Sequence, residues 1–228
     1  MIHFNTIAYA LLGGVLPALV WLLFWLREDR KHPEPRNLIR KTFLLGMLGV
    51  FLVLPFQKGV EMLFPSLMAL SLFLWALLEE IFKFGAGYFG GLHSIEDNEP
   101  IDPMIYMITA ALGFVAMENT LFIFGPLVNN DAAQSFITGN MRFIGASLLH
   151  VVTSGMVGAS LSLSFYKNWL QRVTYVSAGL ASAILFHLAF NLIIINHGDQ
   201  GTTLSFIAVW VGAALLLLTF ERVKRIAP

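Results

Sequence analysis

Apolar residues run along this chain in seven long blocks, separated by short polar or charged segments. A bilayer core takes about 20 residues of helix to cross, and the blocks are of that order. They predict helical spans at roughly 7–26, 42–56, 66–90, 104–124, 143–166, 173–195 and 203–220. The first block is too long for a signal-peptide core, and Met1 to Thr6 before it lack Lys and Arg, so it reads as a retained anchor. A basic loop, Arg27 to Lys41, holds Pro33 and Pro35. Lys58 and Glu61 fall at the end of the second span or on an interfacial turn. The loop from Gly91 to Pro103 is acidic, with Glu96, Asp97, Glu99 and Asp102, and the stretch from Gly125 to Met141 reads as a polar loop. No internal repeat or low-complexity segment is visible.

Composition agrees with the blocks. Of 228 residues, 57% are apolar and 12% charged, against about 45–50% and about 25% in a soluble domain. The expected fold class is all-α: a polytopic transmembrane helix bundle of about seven spans, with a catalytic core of four consecutive helices. Residues 1–228 read as a single integral membrane domain whose motif-bearing core is about 66–196. Zero net charge gives no pointer to nucleic acid, and none is expected as a partner. The absence of cysteine excludes disulfides, thiol catalysis and cysteine metal sites. Of the 14 Lys and Arg residues, Lys83 lies inside a span, Lys58 and Arg142 fall on one side, and the others fall on the opposite side. Basic residues favour the cytoplasm, which places the N-terminus outside and the C-terminus inside.

Against this background the stretch Leu77-Leu78-Glu79-Glu80-Ile81-Phe82-Lys83 stands out. A charge near the centre of a membrane helix costs at least about 2.5–3.5 kcal/mol on insertion scales. Glu79, Glu80 and Lys83 share one helical face, being four and three residues apart. Glu118 and Asn119 follow in the fourth span, His150 and Ser154 in the fifth, His187 and Asn191 in the sixth. Each His precedes its polar neighbour by one turn. The fifth span also carries Ser154-x-x-x-Gly158 and Gly155-x-x-x-Ala159, spacings that let helix backbones approach closely.

A single membrane His or Asn is usually interhelical glue, and a Glu–Lys pair one turn apart is often only a neutralising bridge. Lys83, however, can neutralise only one of three carboxylates. A remaining Glu must be protonated, hydrated or bound to a cation. Convergent carboxylates and imidazoles in the membrane mark a catalytic or ion-handling site, and together they can activate water and stabilise an oxyanion. Other intramembrane hydrolase patterns are missing: there is no H-E-x-x-H, no Asp inside a predicted span, and Val152 stands where a G-x-S-G pattern needs Gly. The alternative from another class is a proton- or ion-coupled transporter using the same buried Glu/Lys/His set, although the two halves of the chain show no repeat. A non-catalytic membrane scaffold would not need to keep the whole set.

Glu79-Glu80-x-x-Lys83, Phe114-x-x-x-Glu118, His150-x-x-x-Ser154 and His187-x-x-x-Asn191 resemble the motif series of the PrsW family of intramembrane proteases. That family is similar to the larger set of CAAX prenyl proteases and bacteriocin-processing enzymes, which typically show E-E-x-x-x-R and F-x-x-x-H. Here the basic residue is Lys83, one position earlier, and the second motif ends in Glu118, both of which favour PrsW. The resemblance covers about residues 70–195. It implies a prokaryotic cell-membrane (inner-membrane) protease. The name-giving member makes the first cut in an anti-sigma factor, so a single-pass membrane protein in the lipid bilayer is the implied substrate class.

The expected roles are Glu79 or Glu80 as general base, with Glu118, His150 and His187 holding the water, a metal or the oxyanion. Lys83 would neutralise and orient a carboxylate; Asn119, Ser154 and Asn191 would support. Three carboxylates and one ammonium leave two negative charges, which Zn²⁺ would cancel, and a Glu/His/His set such as Glu118, His150 and His187 is a known zinc ligand set. A metal-free Glu–His water site is the other form.

Overall fold

The computed structural model describes residues 4–226. Residues 1–3 of the segment before the first span, and residues 227–228 of the basic tail, lie outside them. Among the described residues every regular element is helical. α1 is Phe4–Trp25, followed by a 3₁₀ turn, Leu26–Asp29. α2 is Arg36–Leu63 and takes in both Lys58 and Glu61. α3 is Met68–Gly87 and ends in a π-turn, Tyr88–Leu92. α4 is Asp102–Val128. α5 is Ala132–Met141, running through a second π-turn, Arg142–Ala146, into α6, Ser147–Leu163. α7 is Trp169–Val223.

Five helical stretches are long and apolar enough to cross a membrane: 5–29, 36–63, 102–128, 132–163 and 169–223. α3 differs from them by its three charges, yet Glu79, Glu80 and Lys83 are buried while Ile81 between them is 44% exposed. The charges face the bundle, and the opposite face is apolar. α7 is 55 residues long, about 82 Å if it were straight, far beyond one bilayer. It is not straight. Gly198 has φ 52° and ψ −125°, a backbone conformation open to glycine and strained for other residues. Ser205 Oγ lies 3.5 Å from the Phe190 carbonyl oxygen, so the chain folds back at Gly198 into a helical hairpin of 169–197 and 199–223.

The expected polar loop from Gly125 to Met141 is mostly helix. α4 extends to Val128, and Asp131 caps α5 by accepting the Gln134 N–H at 2.8 Å. Polar side chains did not prevent a short surface helix because the cap satisfies its first turn.

α4 is the central element. Every residue from Ile101 to Ala116 is buried, as befits a helix apolar on all sides. α2 meets it through paired glycines: a Cβ on Gly113 would overlap the Phe43 carbonyl, and a Cβ on Gly46 would overlap that of Ala110. α6 meets it where a Cβ on Gly158 would come within 2.7 Å of Met104 Cα. The shared core joins Trp25, Ile105, Leu112, Val151 and Phe220, with the Trp25 and Phe220 rings stacked at 5.8 Å.

Candidate active site

Helices α3, α4, α6 and α7 bring Glu79, Glu80, Lys83, Glu118, His150 and His187 into one cluster. Lys83 Nζ donates to Glu80 Oε1 at 2.6 Å, lies 3.0 Å from His150 Nδ1, and reaches Thr153 Oγ1 at 3.4 Å. An ammonium can only donate, so His150 Nδ1 accepts. The remaining proton of the neutral ring is then on Nε2, which faces Glu118 Oε2 at 3.0 Å. His187 is held the other way round. Its Nδ1 lies 2.8 Å from Glu80 Oε1, and a carboxylate can only accept, so Nδ1 carries the hydrogen. The lone pair of Nε2 is left 3.7 Å from Glu79 Oε2. The two imidazole rings meet edge to face at 5.3 Å.

The three carboxylates have unlike surroundings. Glu80 is fixed by Lys83 and His187 and is 1% exposed. Glu118 is fixed by Arg142, whose Nη2 donates to Oε2 at 2.6 Å, while Arg142 Nε donates to Asn119 Oδ1 at 2.6 Å. Glu79 has no Lys or Arg partner among the described residues. Gln57 Nε2 donates to its Oε1 at 2.8 Å, and Trp75 Nε1 steadies that segment by donating to the Gln57 carbonyl at 3.1 Å. Glu79 Oε2 is buried without a hydrogen-bond partner among the described residues.

Glu79 and Glu118 also line a cavity of about 310 Å³ between α2, α3 and α4, whose other walls include Val50, Val53, Phe114 and Phe122. Glu80 does not line it. An apolar pocket with a few convergent polar groups is the usual form of a binding site.

Of the supporting residues, Asn119 Nδ2 donates to Ser147 Oγ at 3.4 Å and carries Arg142 on its oxygen. Ser154 Oγ is buried without a partner among the described residues. Asn191 is half-buried one turn beyond His187 and makes no side-chain hydrogen bond to the described residues. Sequence reasoning missed Gln57 and assigned Arg142 to an exterior flank. Arg142 and His150 would be about 80° out of register on a regular helix. The intervening π-turn carries an extra residue and turns Arg142 towards the cluster.

One donor atom each from Glu79, His150 and His187 lie within 4.8 Å of one another. The residues fit a metal ion: Glu79 Oε2 is a buried orphan, His187 Nε2 presents a lone pair, and the Glu80–His187 bond is the carboxylate–imidazole support that metal-binding histidines commonly have. His150 would join only by giving up its Nε2 hydrogen together with the bond to Glu118, since Nδ1 is occupied as the acceptor from Lys83. The expected set named Glu118 with these histidines; the donor atoms that lie together are those of Glu79, His150 and His187, while Glu118 is held by Arg142. Arg142 also lowers the charge surplus of the cluster from two to one.

A family model described as PrsW family intramembrane metalloprotease matches residues 34–219. Among curated proteins, the chain is 30% identical over 127 residues to a protein named Protease PrsW from Geobacillus kaustophilus, covering 55% of this chain and 56% of that one. A protein of the same name from Halalkalibacterium halodurans is 26% identical over 129 residues, covering 56% and 60%. One from Clostridioides difficile is 28% identical over 187 residues, covering 79% and 77%. The chain thus spans little more than half the length of the first two of these relatives. No solved structure matches it. The motif series on α3, α4, α6 and α7 and the match over residues 34–219 agree: the chain belongs to the PrsW family of intramembrane metalloproteases.

Proposed function

We propose that the protein hydrolyses a peptide bond of a membrane-anchored protein substrate within the bilayer, with Glu79 as the carboxylate that takes a proton from the attacking water. The carrying observation is that Glu79 is the cluster carboxylate that lines the cavity without a Lys or Arg partner among the described residues; Glu118, also on the cavity, is held by Arg142, and Glu80, held by Lys83, lies off it. A water hydrogen-bonded to both Glu79 Oε2 and His187 Nε2, 3.7 Å apart, would be aligned for that transfer. Gln57 holds the other Glu79 oxygen and so fixes which one faces the water. Glu80 orients His187, and Lys83 orients Glu80 and His150 together. His150, positioned by Glu118 and Lys83, would be the imidazole that meets charge developing on the scissile carbonyl. In this low-dielectric setting fixed dipoles act strongly on such charge.

Glu79, His150 and His187 would hold a divalent metal, with zinc the natural choice for that donor set. A bound ion would polarise the carbonyl and acidify the water. Glu79 stays indispensable in both forms, as base or as ligand beside the water.

The site's placement supports a membrane-embedded substrate class. Glu118 is about 15 Å from the end of α4, so the scissile bond must enter the bundle, as a single-pass segment can. An anti-sigma-factor-like membrane protein is the reading favoured by the family. The protein would then be a seven-span component of a prokaryotic cell membrane, with α3 and both arms of the α7 hairpin crossing, its N-terminus outside and its C-terminus in the cytoplasm. Nothing in the comparisons favours the transporter alternative. Elemental analysis and cleavage of a panel of single-pass substrates test the reading. Stoichiometric zinc lost in His187→Ala, with chelator-sensitive cleavage by wild type, supports the metal form. Cleavage unaffected by strong chelators in zinc-free protein removes the metal and leaves the water site. Proton flux without cleavage of any substrate would return the transporter.

A further inference from the structure

About 24 Å along α4 from Glu118, a second acidic cluster closes the other end of the bundle. Asp29 ends the 3₁₀ turn after α1, Glu34 precedes α2, and Asp102 begins α4. Each offers a carboxylate oxygen, and these lie within 4.8 Å of one another. Asp29 is 4% exposed and Asp102 1% exposed. Asp29 Oδ2 and Asp102 Oδ1 are sealed from solvent and have no hydrogen-bond partner among the described residues.

The other donors nearby are already committed. Asp102 Oδ2 accepts the backbone N–H groups of Asn98 at 2.9 Å and Glu99 at 2.7 Å. Tyr106 donates its hydroxyl to Glu34 Oε2. His32 is taken by Glu99 at 2.6 Å, and Arg172 lies 3.9 Å from Asp97. No Lys or Arg among the described residues pairs with Asp29, Glu34 or Asp102. Three ionised carboxylates this close in a buried place are strongly unfavourable unless a proton or a cation compensates them.

We infer that Asp29, Glu34 and Asp102 bind a hard divalent cation of the Ca²⁺/Mg²⁺ class, which clamps the α1–α2 turn to the start of α4. The donor set is all oxygen, as such ions prefer and as zinc sites with nitrogen and sulfur donors are not. Oxygens that all lie within 4.8 Å of one another are close enough to share one ion with metal–oxygen bonds of about 2.0–2.6 Å. A cavity of about 250 Å³ lined by Glu34, Asn98, Glu99 and Asp102 adjoins the cluster. The site is separate from the Glu79 cluster and does not depend on the proteolytic reading.

Thermal unfolding of the full chain in detergent, stripped with chelator and titrated with CaCl₂ or MgCl₂, tests it. The clamp raises Tm by about 5 °C or more at a hundredfold excess over Kd, and calorimetry gives one site. Asp29→Asn and Asp102→Asn each lose the shift, and Glu79→Gln keeps it. A response to Ca²⁺ but not Mg²⁺, or the reverse, identifies the ion. If Asp102→Asn does not fold, Asp29→Asn decides. Absence of any shift with either ion, or a shift that survives Asp29→Asn or disappears in Glu79→Gln, overturns the inference.

Discussion

Glu79 and Glu80 are adjacent in the chain and have opposite surroundings. A step of one residue turns a helix by about 100°, which is enough to send Glu80 towards Lys83 and His187 and Glu79 towards Gln57 and the cavity. That the stretch mattered was legible from charges inside an apolar block. Which carboxylate faces the cavity was not, because it depends on partners from α2 and α7 that lie 22 and 107 residues away. Gln57 gave no signal, since an amide near a helix end is ordinary. Lys83 is fully buried and holds Glu80, His150 and Thr153 at once. Lys83→Met removes the positive member of a buried pair and strands the Glu80 charge. Such losses cost about 3–5 kcal/mol, and unfolding in detergent should show a destabilisation of that order, with cleavage reduced beyond the loss of folded protein.

The helices themselves were largely legible, because membrane spans announce themselves as apolar blocks. The misses were local. α5 was read as a loop on its polar residues, although Asp131 caps it. The π-turn Arg142–Ala146 leaves no mark in hydropathy, and it is what carries Arg142 to Glu118. The break between the last two spans was visible as the polar stretch around His197 to Thr202. Its mechanism rests on Gly198, whose backbone conformation most side chains strain to adopt. Gly198→Ala should destabilise the hairpin by about 1–3 kcal/mol, read as a lower unfolding midpoint. Gly59→Ala, where a Cβ would meet open space inside α2, should not lower it.

At the scale of the molecule, α4 connects two polar centres: Glu118 in the candidate active site and Asp102 in the acidic cluster. The second centre was not legible, because Asp29, Glu34 and Asp102 come from two loops that the sequence describes only as basic and acidic. Burial pushes Glu34 up to about 8, against the Tyr106 hydroxyl and with the Asp102 and Asp29 charges adding to the rise. Burial likewise pushes Asp97 up to about 7, with Asp102 adding and Arg172 opposing. Both carboxyls bind protons more tightly in the folded state than in the unfolded chain. Their contribution to stability is therefore full below the ordinary carboxylate range and is lost as pH rises towards about 7–8. In metal-free buffer the unfolding midpoint should fall between about pH 5 and 8, and Glu34→Gln should flatten that fall. A midpoint rising across the same range would contradict the assignment.

Glu79 is the centre of the proposed mechanism, and the most direct measurement is cleavage of a single-pass membrane substrate by wild type and by Glu79→Gln, each shown to be folded. Glutamine keeps the shape and the Gln57 contact is able to re-form, but the proton acceptor is gone. The expected result is a fall in rate of about 10²–10⁴-fold, the usual worth of a positioned base. A Glu79→Gln protein that cuts as fast as wild type would contradict the mechanism proposed for this site.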